Sequence, residues 1–70
     1  MPHIAVSMLP GRPREVKQEL AERLRDALME TLGVEEKFVS VSLEDVELKD
    51  WEDSMKRFPE ENILINPNKE

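Results

Sequence analysis

Cysteine is absent from the 70 residues, which removes disulfides and thiolate-held zinc or iron from consideration. A single histidine, His3, cannot supply an ordinary structural metal site. Aromatic residues make up 4% of the chain, so Trp51 stands out as its one tryptophan. Basic side chains are outnumbered, 10 against 16 acidic ones, for a net charge of −6. A phosphate backbone or an anionic membrane surface needs a basic footprint, so neither nucleic acid nor membrane is expected as a partner. No apolar run approaches the length of a bilayer span, and no basic-then-apolar signal segment is present. With cysteine missing as well, the expected location is the cytoplasm.

What is there is short and strongly patterned. The chain reads as one domain, residues 1–70, with no repeat and no linker. A chain of this size hides only about 60% of its unfolded surface. Without disulfides or a metal, self-association is the remaining route to stability. A homo-oligomer is expected.

From Pro2 to Leu9 the residues alternate, with Ile4, Val6 and Met8 on one face and His3, Ala5, Ser7 and Leu9 on the other. Pro10 and Gly11 end that strand. Pro13 suits the first turn of a helix, where its missing N–H costs nothing. Val16, Leu20, Leu24, Ala27, Leu28 and Leu32 then recur every three or four residues, one apolar stripe on a helix over roughly residues 13–32. Glu19 is spaced to meet Arg23, and Glu22 to meet Arg25. Gly33 is placed for a left-handed cap. In "FVSVSLEDV", Val39, Val41 and Leu43 alternate with Phe38, Ser40 and Ser42 as a second half-buried strand.

Strand, helix and strand in succession predict an α/β (α+β) fold built on a βαβ unit with parallel strands. Two strands and one helix do not make a stable sheet alone, and their open edges invite a second copy. Further on, Trp51, Met55 and Phe58 are spaced as on one side of a short helix near the C-terminus, starting near Asp50 and ended by Pro59. "NILINP" reads as a short strand from Ile63 to Ile65.

The opening "MPHIAV" carries the chemical question. Proline tolerates the first position of a strand, which accounts for Pro2 without any function. Yet initiator methionine is usually trimmed before a small residue. Trimming leaves Pro2 with a free secondary amine, whereas a retained Met1 leaves an amide with no usable lone pair.

An "MP" opening a strand, Arg12 just before an amphipathic helix, a "VSV" strand and an aromatic residue at 51 resemble the 4-oxalocrotonate tautomerase family over roughly residues 2–51. The resemblance implies a β-α-β protomer that dimerises into a shared four-stranded sheet, as a dimer or as three such dimers in a hexamer. It also implies cofactor-independent tautomerisation of enols of small 2-oxo acids, with Pro2 as general base.

Each site residue also has an ordinary structural reading. An α-amino group titrates at about 7.7–8.0, and a secondary amine is more basic. An apolar wall from Trp51 and Phe58 and the charge of Arg12 would both lower that value. Arg12 can hold a carboxylate in a two-bond fork, or simply be a solvated loop arginine. At about 3.3 Å per residue, a strand from Pro2 to Leu9 separates its ends by more than 20 Å. Pro2 and Arg12 of one chain therefore cannot share a small substrate. Antiparallel pairing of two first strands brings Pro2 of one subunit to Arg12 of the other.

Trp51 stands at the family's aromatic position, to exclude water or to pack at a subunit contact. At Ser40 the chain departs from dicarboxylate-isomerising members, which carry an arginine there. A serine fits a monocarboxylate enol such as an arylpyruvate better, with the hydroxyl or a backbone N–H polarising the oxygen. Arg14 could stand in for the missing cation, although the first turn of a helix is a solvated place. His3 points to the face opposite the apolar one, as a surface or interface residue.

Two alternatives accompany the tautomerase reading. One is hydration or dehalogenation of small unsaturated acids, for which Glu52 and Asp53 are the unassigned carboxylates nearest Trp51. The other is a non-catalytic oligomeric scaffold.

Overall fold

A computed structural model describes residues 1–67. Strand β1, His3–Met8, leads through the loop to helix α1, Arg14–Leu32. A 3₁₀ turn at Glu36–Phe38 precedes strand β2, Ser40–Asp45. A second 3₁₀ turn at Leu48–Asp50 runs into helix α2, Trp51–Met55. The β-α-β order and the short second helix are those expected from the sequence.

The strands pair in parallel, His3 opposite Ser40 through Met8 opposite Asp45. Two further bonds extend the ladder at its ends. Ser40 N–H donates to the Pro2 carbonyl at 3.3 Å, and Val46 N–H donates to the Met8 carbonyl at 2.8 Å. This register sets Ile4 beside Val41 and Val6 beside Leu43, all half-buried on the face that α1 covers.

Pro13 is the N-cap of α1, and its carbonyl accepts from Val16 and Lys17 N–H. At the far end Gly33 takes φ +69°, a left-handed cap that suits glycine, and donates to the Met29 carbonyl at 2.8 Å. Of the two ion pairs expected on α1, Glu19–Arg23 forms at 2.7 Å. Glu22–Arg25 does not. Arg25, half-buried, reaches Asp26 at 3.1 Å and Glu36 at 3.5 Å. Glu22 accepts from the Gln18 amide instead.

The strand expected at Ile63–Ile65 is also absent. A 3₁₀ turn occupies Glu60–Asn62, and the following residues have no ladder partner among the described residues. The reason is topological: among the described residues the one sheet pairs β1 with β2 only, and the segment is not brought to its edge.

The protomer is thinly packed. Val46, 8% exposed, is its one buried apolar residue among those described. The accessible surface is 6175 Å². A compact monomer of 8.2 kDa exposes about 4,500 Å². The radius of gyration, 13.7 Å, exceeds the value of about 11 Å for a compact domain of this length. Val16 and Leu32 on α1 are 47% and 60% exposed. No helix of the described residues is long and apolar enough to cross a membrane.

Candidate functional site

Because the two strands run parallel, each end of the sheet collects different residues. At the N-terminal end lie Pro2, half-buried, and Ser40, joined by the backbone bond from Ser40 N–H to the Pro2 carbonyl. Past the C-terminal end of β1 comes the loop that carries Arg12, and α2, which Trp51 opens, follows β2 in the chain. Six paired positions separate the two ends, about 17–20 Å of extended chain. The protomer therefore brings Pro2 to Ser40 but keeps Pro2 at the opposite end of β1 from Arg12. The candidate residues Pro2 and Arg12 thus fall in two separate groups.

The Arg12 half is open. Its position depends on Gly11, whose φ of +126° is one that residues with a Cβ rarely adopt. Pro10 and Pro13 stiffen the loop on either side. The Arg12 side chain is exposed, and Nη1 makes a long 3.5 Å contact to the Leu9 carbonyl. Among the described residues no carboxylate pairs with it. A guanidinium with donors left over is suited to an incoming carboxylate. Trp51 is half-buried at the start of α2.

The Pro2 half is tied into the sheet. The Ser40 hydroxyl does not stand free, since Oγ lies 2.7 Å from His3 Nδ1. The other ring nitrogen, Nε2, lies 2.9 Å from Ser42 Oγ. A neutral imidazole has one donor and one acceptor, so one serine accepts and the other donates. His3 thus bridges both serines on the open face of the sheet, the side to which alternation assigned it. Sequence reading placed the three on one face but could not pair them, because their contact depends on the register between strands.

A second cluster on that face was missed. Arg57, just after α2, donates through Nη2 to Glu44 Oε1 at 2.6 Å and to Ser7 Oγ at 3.4 Å. Ser7 Oγ also donates to Glu44 Oε1 at 3.3 Å. These contacts span up to 50 positions in the chain, and no local spacing announces them. They hold the segment after Trp51 against the C-terminal end of the sheet and so help to place that ring.

The hydrogen bond from Arg57, reinforced by its charge, lowers the Glu44 carboxyl below its ordinary pKa. A lowered folded-state pKa means that this contact contributes above the ordinary glutamate value of about 4.3. The contribution is lost as pH falls through the depressed one. In a carboxyl-detected NMR titration, Arg57→Ala is expected to move the Glu44 midpoint up toward the ordinary value. An unmoved midpoint would remove Arg57 as the cause.

Among the described residues no group of three or more histidine, aspartate or glutamate side chains is arranged to hold a metal ion.

The family model described as tautomerase enzyme matches residues 2–52. A probable tautomerase of Xylella fastidiosa is 49% identical over 51 residues, 73% of this chain and 62% of the Xylella protein. The chain thus spans less than two thirds of that relative's length. A 2-hydroxymuconate tautomerase of Bacillus subtilis is 39% identical over 46 residues, 66% of this chain and 74% of the relative. A probable tautomerase of Ralstonia nicotianae is 28% identical over 61 residues, 87% and 94% of the two chains. No solved structure matches the chain.

Proposed function

The chain belongs to the tautomerase family, and from that premise we propose that it is a cofactor-independent keto–enol isomerase whose site is shared between two subunits. Pro2, freed as a secondary amine by loss of Met1, is the general base. It takes the proton from the enol hydroxyl of a small 2-oxo acid and returns it to carbon. Arg12 of the neighbouring subunit holds the substrate carboxylate, and Trp51 excludes water from the shared cleft. The carrying observation is that Arg12, without a carboxylate partner among the described residues, sits beyond the opposite end of β1 from Pro2.

A base near its own pKa moves protons without a metal, provided it lies within hydrogen-bond reach of the substrate. One protomer cannot meet that condition for both groups. Antiparallel pairing of two β1 edges would meet it, and among the described residues no third strand pairs with either edge of the sheet. A protomer exposing about 1,600 Å² more than a compact monomer of its mass supports association.

The substrate class follows from position 40. The Ser40 hydroxyl is held by His3 and brings no positive charge, so a second carboxylate would lack a cationic anchor there. A monocarboxylate enol such as that of an arylpyruvate is the better fit. The name of the Bacillus subtilis relative makes 2-hydroxymuconate the natural comparison. Ultraviolet assays of both enols are expected to show acceleration over spontaneous ketonisation, with the higher kcat/KM for the arylpyruvate. Spontaneous rates for both would end the isomerase reading, and preference for the dicarboxylate would end the argument from Ser40.

A further inference from the structure

His3 has no part in the reaction proposed above, yet it follows Pro2 in the chain and binds the serine at position 40. His3, Ser40 and Ser42 are all exposed, so their contacts add little to the packing.

The two contacts differ in length. Ser40 Oγ lies 2.7 Å from Nδ1, and Ser42 Oγ lies 2.9 Å from Nε2. Hydroxyl donors make contacts of about 2.7–2.8 Å and N–H donors of about 2.9–3.0 Å. The lengths match a neutral ring on which Ser40 Oγ–H donates to Nδ1 while Nε2–H donates to Ser42 Oγ. In that state the Ser40 hydrogen is spent on the ring, and Ser40 shows a ligand only lone pairs. A carboxylate, itself an acceptor, finds no donor in that hydroxyl.

One added proton reverses the first contact. Both nitrogens of an imidazolium donate, so Ser40 accepts from Nδ1–H and its own hydrogen is released. The same proton places a positive charge one hydrogen bond away from Ser40. The serine then offers a charge-backed donor where a cation is otherwise missing.

Histidine ordinarily changes charge between about pH 5 and 8, and His3 is the one histidine in the chain. The charged groups on the same face, Glu44 of β2 and Arg57 after α2, are tied to each other at 2.6 Å. In the turn ahead of β2, Glu36 reaches Arg25 at 3.5 Å and Lys37 lies over the ring of Phe38. Glu35 beside them has no cationic partner among the described residues. Helix α1 covers the other face. The Pro2 amine, the chain neighbour of His3, acts on every substrate alike.

We propose that His3 sets substrate specificity: its imidazolium, acting through the Ser40 hydroxyl, accepts a second carboxylate for which the neutral ring leaves no donor. The inference rests on the proposed isomerase and adds a pH dependence to its choice of substrate. With the ring neutral the monocarboxylate enol is preferred, and the preference narrows as the ring gains its proton.

The test is the ratio of kcat/KM for 2-hydroxymuconate to kcat/KM for the enol of an arylpyruvate such as phenylpyruvate. Ionisation of the Pro2 amine cancels in that ratio. From about pH 8 down to about pH 5.5 the ratio is expected to rise by about 3- to 10-fold, the range of a charge-assisted contact screened by solvent. In His3→Asn, whose side chain does not titrate, it is expected to stay flat. A second measurement needs no turnover. Coupling between a ligand and a proton is reciprocal, so adipate, a saturated dicarboxylate, is expected to move the NMR titration midpoint of His3 upward. Hexanoate, of the same length, is expected to leave it in place.

A flat ratio in the parent, or an equal rise in His3→Asn, overturns the inference and leaves the isomerase standing. A midpoint moved equally by both acids, or by neither, overturns it as well. Spontaneous rates for both enols at every pH end the isomerase reading and this inference together.

Discussion

Protein carrying two extra residues ahead of Pro2 is expected to lose its ketonisation activity by about 10²–10⁴-fold, the contribution typical of a positioned general base. The extension converts the ring nitrogen from an amine to an amide, and an amide nitrogen has no lone pair to offer a proton. Little else should change. Pro2 holds the sheet through its carbonyl, which accepts from Ser40 N–H at 3.3 Å, and that bond is indifferent to what precedes the ring. Circular dichroism and sedimentation of the extended protein should therefore match the parent. An unchanged rate would remove Pro2 as the base. The same reasoning makes intact mass informative: protein isolated from cells is expected to lack one methionine. A full-length mass would favour the non-catalytic scaffold.

The second large effect belongs to Arg12. Replacing it by alanine deletes a charge-assisted contact to the substrate carboxylate, worth about 1.5–3 kcal/mol. The loss is expected mainly as a KM raised by about 10- to 150-fold, since carboxylate binding is common to ground and transition states. The sharper test combines this variant with the protein blocked at Pro2. Each alone is expected to be nearly inactive at low substrate. Unfolded together and refolded, they form mixed pairs in which one site joins Pro2 of the Arg12→Ala chain to Arg12 of the blocked chain. With random pairing, half the dimers are mixed and each has one intact site, so activity should return to about a quarter of wild type. A shared site predicts that rescue. A site within one chain predicts none, because neither parent then contains a complete set.

That contrast turns on the length of β1. Six strand residues stand between the two halves, and the extended backbone leaves no way to fold one half onto the other. The open face adds a constraint of its own. His3 engages Ser40 and Ser42, while Arg57 engages Glu44 and Ser7. The surface opposite α1 is thus a set of satisfied polar contacts, consistent with a face that tolerates water.

Much of this was legible in the residues. Alternation over Pro2–Leu9 and over Val39–Leu43 identified both strands and their apolar sides, and a stripe at helical spacing identified α1. Gly33 marked the end of α1, because few other residues accept a positive φ. These are local properties: a strand's faces follow from its pleat, and a helix's face from its pitch. Local spacing failed where a choice lay between near and distant partners. Arg25 bypassed Glu22 for Asp26 and Glu36.

The sequence by itself determined the βαβ order and the faces of its elements, and it named the residues proposed to bind a carboxylate and to move a proton. Only the tertiary structure decided the register that sets His3 against Ser40, the docking of Arg57 on Glu44, and the absence of a strand at Ile63–Ile65. Pleat and pitch are written into each short stretch. Register and docking depend on which distant surfaces meet, and a strand without a neighbouring edge has no hydrogen bonds to make it one.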